Sequence, residues 1–161
     1  MYEYRAIVNR VVDGDTVDVD IELGFGIVLT DERVRIMGID TPESRTSDKV
    51  EKIFGTASKE RLKSLLGKTA VLQTQVAKDG EDMKGKFGRI LGDFIVEYKD
   101  KNNNFMQDRV SNILINEGHA VKYHGQNKAD VQVQHMANRN KLMQEGVVDP
   151  KLVQETEEKY G

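Results

Sequence analysis

With 161 residues, 38% hydrophobic and 32% charged, two prolines and no long low-complexity run, the chain has the composition of one soluble globular domain. The absence of cysteine excludes disulfides, thiolate metal sites and cysteine nucleophiles, so any metal must be held by oxygen or imidazole. A formal charge of −3 argues against an overall basic nucleic-acid binder, yet residues 13–32 carry only acids, whereas Arg33, Arg35, Arg45, Lys49, Lys52, Lys59, Arg61 and Lys63 tip the next part positive, which allows a locally basic cleft.

Tyr4 to Val12 and Thr16 to Ile21 read as strands around the Asp13-Gly14 turn signal, with Val17, Val19 and Ile21 alternating against Asp18, Asp20 and Glu22. Gly24-Phe25-Gly26 marks a reversal. Ile27 to Leu29 and Val34 to Ile39 are strand-like, interrupted by Thr30-Asp31-Glu32. Ser44 to Gly55 reads mostly as a polar loop, followed by a helix from near Thr56 to before Gly67, with Leu62, Leu65 and Leu66 on one side. Ala70 to Val76 and Ile90 to Val96 are further strands, separated by a charged loop from Lys78 to Gly88.

A second helix is expected near Met106 to Glu117, with Asn104 as a possible cap and Gly118 as its stop. A third is expected near Ala129 to Glu145, with Val133, Met136, Asn140 and Met143 at helical steps. Met106, Met136 and Met143 read as packing residues. The pattern predicts an α+β domain over 1–148, an OB-fold five-stranded antiparallel β-barrel with three α-helices, and a polar tail over 149–161, helical or frayed. The start of the chain, Met1 to Arg5, lacks a basic segment followed by an apolar run, and no stretch of eighteen apolar residues occurs. The expectation is a monomer without a membrane span, cytoplasmic as given or secreted if a leader was removed.

Three segments concentrate chemistry: Asp13-Gly14-Asp15-Thr16, the run from Arg35 to Asp40-Thr41-Pro42-Glu43, and Phe87-Gly88-Arg89. Asp-Gly is also a common hairpin turn. Pro42 fixes its own φ and restricts Thr41, which aims Glu43 at a defined place. Carboxylates on neighbouring strands suit a hard cation such as calcium, with Asp15, Asp40 and the Thr41 carbonyl as ligands and Glu43 left to accept a proton from water. Arg35, inside an apolar strand, suits a phosphate, or equally a salt bridge to one of the early aspartates. Arg89 becomes interesting only with the rest. His119, His124 and His135 lack zinc-type spacing and any obvious carboxylate partner, and read as satisfied or exposed side chains.

In order and spacing these residues resemble the staphylococcal nuclease (thermonuclease) family, through Val34 to Glu43, Gly55-Thr56-Ala57-Ser58, Lys86 to Arg89 and Asn112 to Ala120. The resemblance implies a calcium-dependent hydrolase of DNA and RNA, single strands preferred, that leaves 3′-phosphate ends. It implies Asp15, Asp40 and Thr41 as calcium ligands, Glu43 as general base, and Arg35 and Arg89 as phosphate-binding arginines. Lys86 and Phe87 fall in the substrate-binding segment, where phenylalanine replaces a frequent tyrosine and loses a hydroxyl contact. Tyr123 is a candidate base-stacking residue, with His124 competing for the role. A noncatalytic OB-type binding or scaffold module is the alternative, which would not need Asp40, Glu43, Arg35 and Arg89 together. An oligosaccharide or peptide binder would call for stacking aromatics, and the chain has no tryptophan.

Overall fold

The computed structural model describes residues 2–75 and 89–161. Three long strands, β1 (Tyr2–Asp13), β2 (Thr16–Gly24) and β3 (Ile27–Ile36), form an antiparallel meander, followed by the short β4 (Ile39–Asp40) and helix α1 (Lys49–Leu65). Next come β5 (Thr69–Thr74), β6 (Ile90–Lys99), β7 (Phe105–Arg109), α2 (Val110–Glu117), β8 (Val121–Lys122), α3 (Lys128–Gln144) and α4 (Pro150–Tyr160). The main sheet runs β3-β2-β1-β5-β6-β7, and a parallel pairing of β3 with β6 at Val34–Ile90 closes five of its strands into a ring. This is the expected OB-like α+β barrel, extended by β7 at one edge, by a small β4–β8 sheet and by a fourth helix.

The alternation in β2 is the clearest case of sequence dictating structure. Val17, Val19 and Ile21 are sealed in the barrel, while Asp18 and Asp20 sit half-buried on its outer surface. Phe54 and Leu142, with Val148 and Val153, form a second core that holds α4 against α1 and α3, so the 149–161 segment is helical and docked through Val153. Among the described residues no helix is long and apolar enough to cross a membrane.

Several boundaries differ from expectation. Strand β3 is continuous through Thr30-Asp31-Glu32, because Asp31 adopts a positive φ of 51° at a bulge and Asp20 accepts its amide hydrogen at 2.9 Å. Helix α1 starts at Lys49, well before Thr56, since the Asp48 carboxylate caps it by accepting from the amides of Val50 and Glu51, each at 3.1 Å. It ends on an extended Leu66.

Residues 105–109 are strand, because β6 has an edge to pair and Asp100 closes a hairpin turn by accepting from the amides of Asn102 and Asn104, both at 2.9 Å. Asn104 therefore caps no helix, and Met106 is 44% exposed. At the start of α2 the buried Asp93 of β6 accepts from the amide of Ser111 and from its hydroxyl. Gly118 ends α2 with φ 88°, as its position suggests. Helix α3 lies where expected but buries Val131, His135 and Leu142, whereas Val133 is 65% and Met136 43% exposed. The loop from Lys78 to Gly88 lies outside the described residues.

Candidate active site

Two glycines let the chemical segments converge. Gly14, in the turn between β1 and β2, packs so closely that an added Cβ would lie 2.8 Å from the Ser58 Cβ on α1 and 3.2 Å from the Thr41 side chain. Gly55 of α1 lies flat against the main chain of Glu43, where a Cβ would come within 2.2 Å of the Glu43 carbonyl oxygen. The turn thus packs on side chains of the helix and of the segment after β4, and the helix meets that segment backbone to backbone. Gly38, with φ 79°, makes the reversal from β3 into β4, and β4 then places Asp40 opposite Val121.

The result is a cavity of about 470 Å3 lined by Asp13, Asp15, Asp40 and Glu43 together with Arg33, Arg35, Arg45 and Arg89. The structure brings Asp15, Asp40, Glu43, Arg35 and Arg89 to this one cavity. A larger cavity of about 810 Å3 adjoins it, sharing Arg35, Asp40 and Glu43, and carries Thr41, Tyr123 and the inner face of α3. Of the two competing residues, Tyr123 faces this space, while His124 lines a separate cavity. Lys86 and Phe87 lie outside the described residues.

Arg35 is half-buried, and its guanidinium donates to the Ile36 carbonyl and, at 2.9 Å, to the Ile39 carbonyl. Its Nη2 also lies 3.4 Å from Asp15 Oδ2, so the salt bridge to an early aspartate is present as well. Asp15 Oδ1 accepts from the Thr16 hydroxyl at 2.9 Å. Asp13 is bound by the hydroxyl and amide of Ser44, which ties the first acidic turn to the end of the Asp40-to-Glu43 segment. The Glu43 amide donates to Glu51 Oε2 at 2.8 Å, so the first turn of α1 also holds this segment.

Partial desolvation raises the Glu43 carboxyl above its ordinary range, and the negative charges of Asp13, Asp15, Glu51 and Asp40 add to the effect. Such crowding of like charge is relieved by a cation. All the donors available are hard oxygens, which fits calcium or magnesium. Among the described residues no group of three acidic or imidazole side chains is placed to hold a metal ion by itself. An ion held by Asp15, Asp40 and the Thr41 carbonyl would therefore leave most of its coordination to water and substrate.

His135 was the residue missed. Its Nε2 lies 2.7 Å from Asp40 Oδ2, a carboxylate partner that the sequence did not reveal. The available signal was its place on the inward face of α3, four residues after Val131 and seven before Leu142. Ser58, in the middle of α1, donates to the His119 carbonyl at 2.7 Å and so fastens α1 to the segment leading into β8.

A five-stranded barrel with carboxylates and arginines gathered at one cavity defines an OB-like domain whose cavity sets acids beside bases. The chain belongs to the staphylococcal nuclease homologue family, whose profile matches residues 33–147. That span contains Arg35, Asp40, Thr41, Glu43, Arg89 and Tyr123, while Asp15 precedes it. The chain is also 32% identical over 100 residues to endonuclease YhcR of Bacillus subtilis (strain 168), a match that covers 59% of this chain and 8% of that protein.

Proposed function

We propose that this domain is a calcium-dependent nuclease that hydrolyses phosphodiester bonds of DNA and RNA, preferably single-stranded, and leaves 3′-phosphate ends. The observation that carries this reading is the single cavity shared by Asp15, Asp40, Glu43, Arg35 and Arg89. Membership of the family and the likeness to an endonuclease support it. The small share of that relative covered by the chain makes the activity of this domain a matter for direct assay.

In this mechanism Arg35 and Arg89 bind non-bridging oxygens of the scissile phosphate. Arg35 is already braced on two carbonyls, so little reorganisation accompanies the growth of charge. Glu43 accepts a proton from the attacking water, a role that its place in the same cavity as Asp15, Asp40, Arg35 and Arg89 suits. The water oxygen bonds to phosphorus as the bond to O5′ breaks, and the departing oxygen takes up a proton to give a 5′-hydroxyl. A bound calcium would supply positive charge to the phosphoryl oxygens, with Asp15, Asp40 and the Thr41 carbonyl as its protein ligands. Tyr123, 45% exposed in the adjoining cavity, offers a ring on which a base next to the scissile phosphate can stack.

The test is degradation of single-stranded DNA with calcium, with magnesium and with a chelator, beside Glu43→Ala. Calcium-dependent cleavage that falls by about 10²–10⁴ in the variant is expected for loss of a general base. Equal inertness of both proteins, with DNA binding retained, would instead support a noncatalytic OB-type module.

A further inference from the structure

A shallow groove of about 330 Å3 runs from the catalytic cavity along the seam between β1 and α1. Val12 and Arg45 line both spaces, so the two adjoin. Beyond Arg45 the groove carries Arg10 from β1 and Lys59 and Lys63 from α1, with Glu60 as its one acid. Lys59 and Lys63 are four residues apart on one helical face, about 6 Å along the axis.

These cations are not committed to the fold. Among the described residues no ion pair involves Arg45, Lys59 or Lys63. Arg10 reaches Asp18 only at 4.0 Å, and Arg33 already holds that carboxylate through two hydrogen bonds at 2.8 and 3.2 Å. By contrast Arg61, between Lys59 and Lys63 in sequence but on another face of α1, is tied to Glu117 at 2.6 Å. Three unpaired cations and one weakly paired one in a row, beside a site for one phosphate, match a chain of phosphates.

We propose that a single nucleic-acid strand leaves the catalytic cavity past Arg45 and lies along the β1–α1 groove, with successive phosphates met by Arg10, Lys59 and Lys63. This path explains how a chain of net charge −3 can hold a long polyanion, since the attraction is local to one seam. It also gives the enzyme a grip on several nucleotides away from the scissile bond, which suits cutting within a strand. The inference rests on the proposed catalytic cavity as the point where the strand is cut, but strand binding is measured without cleavage.

The experiment is fluorescence anisotropy of a labelled 20-nucleotide single-stranded DNA in chelator across a salt series. It compares the unaltered protein with Arg10→Gln/Lys59→Gln/Lys63→Gln. Three lost phosphate contacts should weaken binding about tenfold and flatten the slope of log affinity against log salt by about 2, at roughly 0.7 per contact. Lys59→Gln alone should flatten it by about 0.7. Lys59→Arg/Lys63→Arg, which keeps the charges, should retain the original slope. With calcium, a dinucleotide too short to enter the groove should be cleaved equally well by the unaltered and triply substituted proteins. Unchanged affinity and slope in the triple variant would overturn the path. Binding that follows the groove charges while neither protein cleaves would uphold the path and overturn only the catalytic reading.

Discussion

The imidazole of His135 and the carboxylate of Asp40 meet at 2.7 Å across 95 positions of sequence, joining α3 to the strand that carries the site. With the carboxylate ionised, Nε2–H donates and fixes the Asp40 plane, and Oδ1 takes no hydrogen bond among the described residues. Carboxylates that ligate a metal are commonly oriented by such partners. On the proposed function, His135→Ala should weaken calcium binding about tenfold or more by calorimetry, with His135→Gln recovering part of the loss. Calcium affinity unchanged in His135→Ala would reduce the contact to a structural tie.

Gly55 makes a steric prediction independent of any metal. The atoms that a Cβ would meet are backbone, the Glu43 carbonyl at 2.2 Å and the Ser44 nitrogen at 2.6 Å, and neither can swing aside as a side-chain tip could. Gly55→Ala should therefore cost about 1–3 kcal/mol in urea unfolding and displace Glu43, reducing any nuclease activity further than stability alone explains. A variant of normal stability would show that the contact is looser than the structure places it.

What was legible in the sequence was local. Val17, Val19 and Ile21 declared a buried strand face, and the Asp40-to-Glu43 segment declared its own turn, because alternation and proline restriction act within a few residues. What was not legible depended on distant packing. The spacing of Met106 and Val110 suits a helix, yet pairing with β6 makes 105–109 a strand. The face of α3 that turns inward is chosen by its neighbours, so Val131 and His135 are buried and Val133 and Met136 are not. The convergence of Asp15, Glu43 and Arg89 on one cavity is likewise tertiary: residue chemistry suggested that the acids could meet, and the resemblance to a known family supplied the place of Arg89.

Arg35 serves two demands that lysine cannot meet together. Its planar fork reaches the Ile36 and Ile39 carbonyls while facing Asp15, and a single ammonium on a flexible stem would satisfy only part of this set. On the proposed function, Arg35→Lys should lower kcat by about 10²–10³, the usual loss when one stabilising donor is removed from a transition state. Steady-state kinetics on single-stranded DNA decide it. Turnover within a few-fold of the original would mean that Arg35 holds the β3–β4 turn and does not touch the reacting phosphate.

His119 gives the fold a pH dependence of known sign. It is 4% exposed, its Nδ1 has no hydrogen-bond partner among the described residues, and burial lowers its proton affinity below the ordinary value of 6.5. Glu117 opposes that shift, and Arg61 adds to it. Because the folded value lies below the unfolded one, the unfolded chain takes up the proton first as pH falls. The stability contributed by neutral His119 is thus whole above pH 6.5 and declines as pH drops from there through the folded value. Replacing the ring with an apolar side chain removes this liability while leaving intact the backbone carbonyl that receives the Ser58 hydrogen bond. Denaturant unfolding of the unaltered protein and His119→Leu at pH 5 and pH 7.5 should therefore show the difference between them shifting in favour of the variant at the lower pH. Parallel stability profiles would mean that His119 reaches water and is protonated equally well in both states.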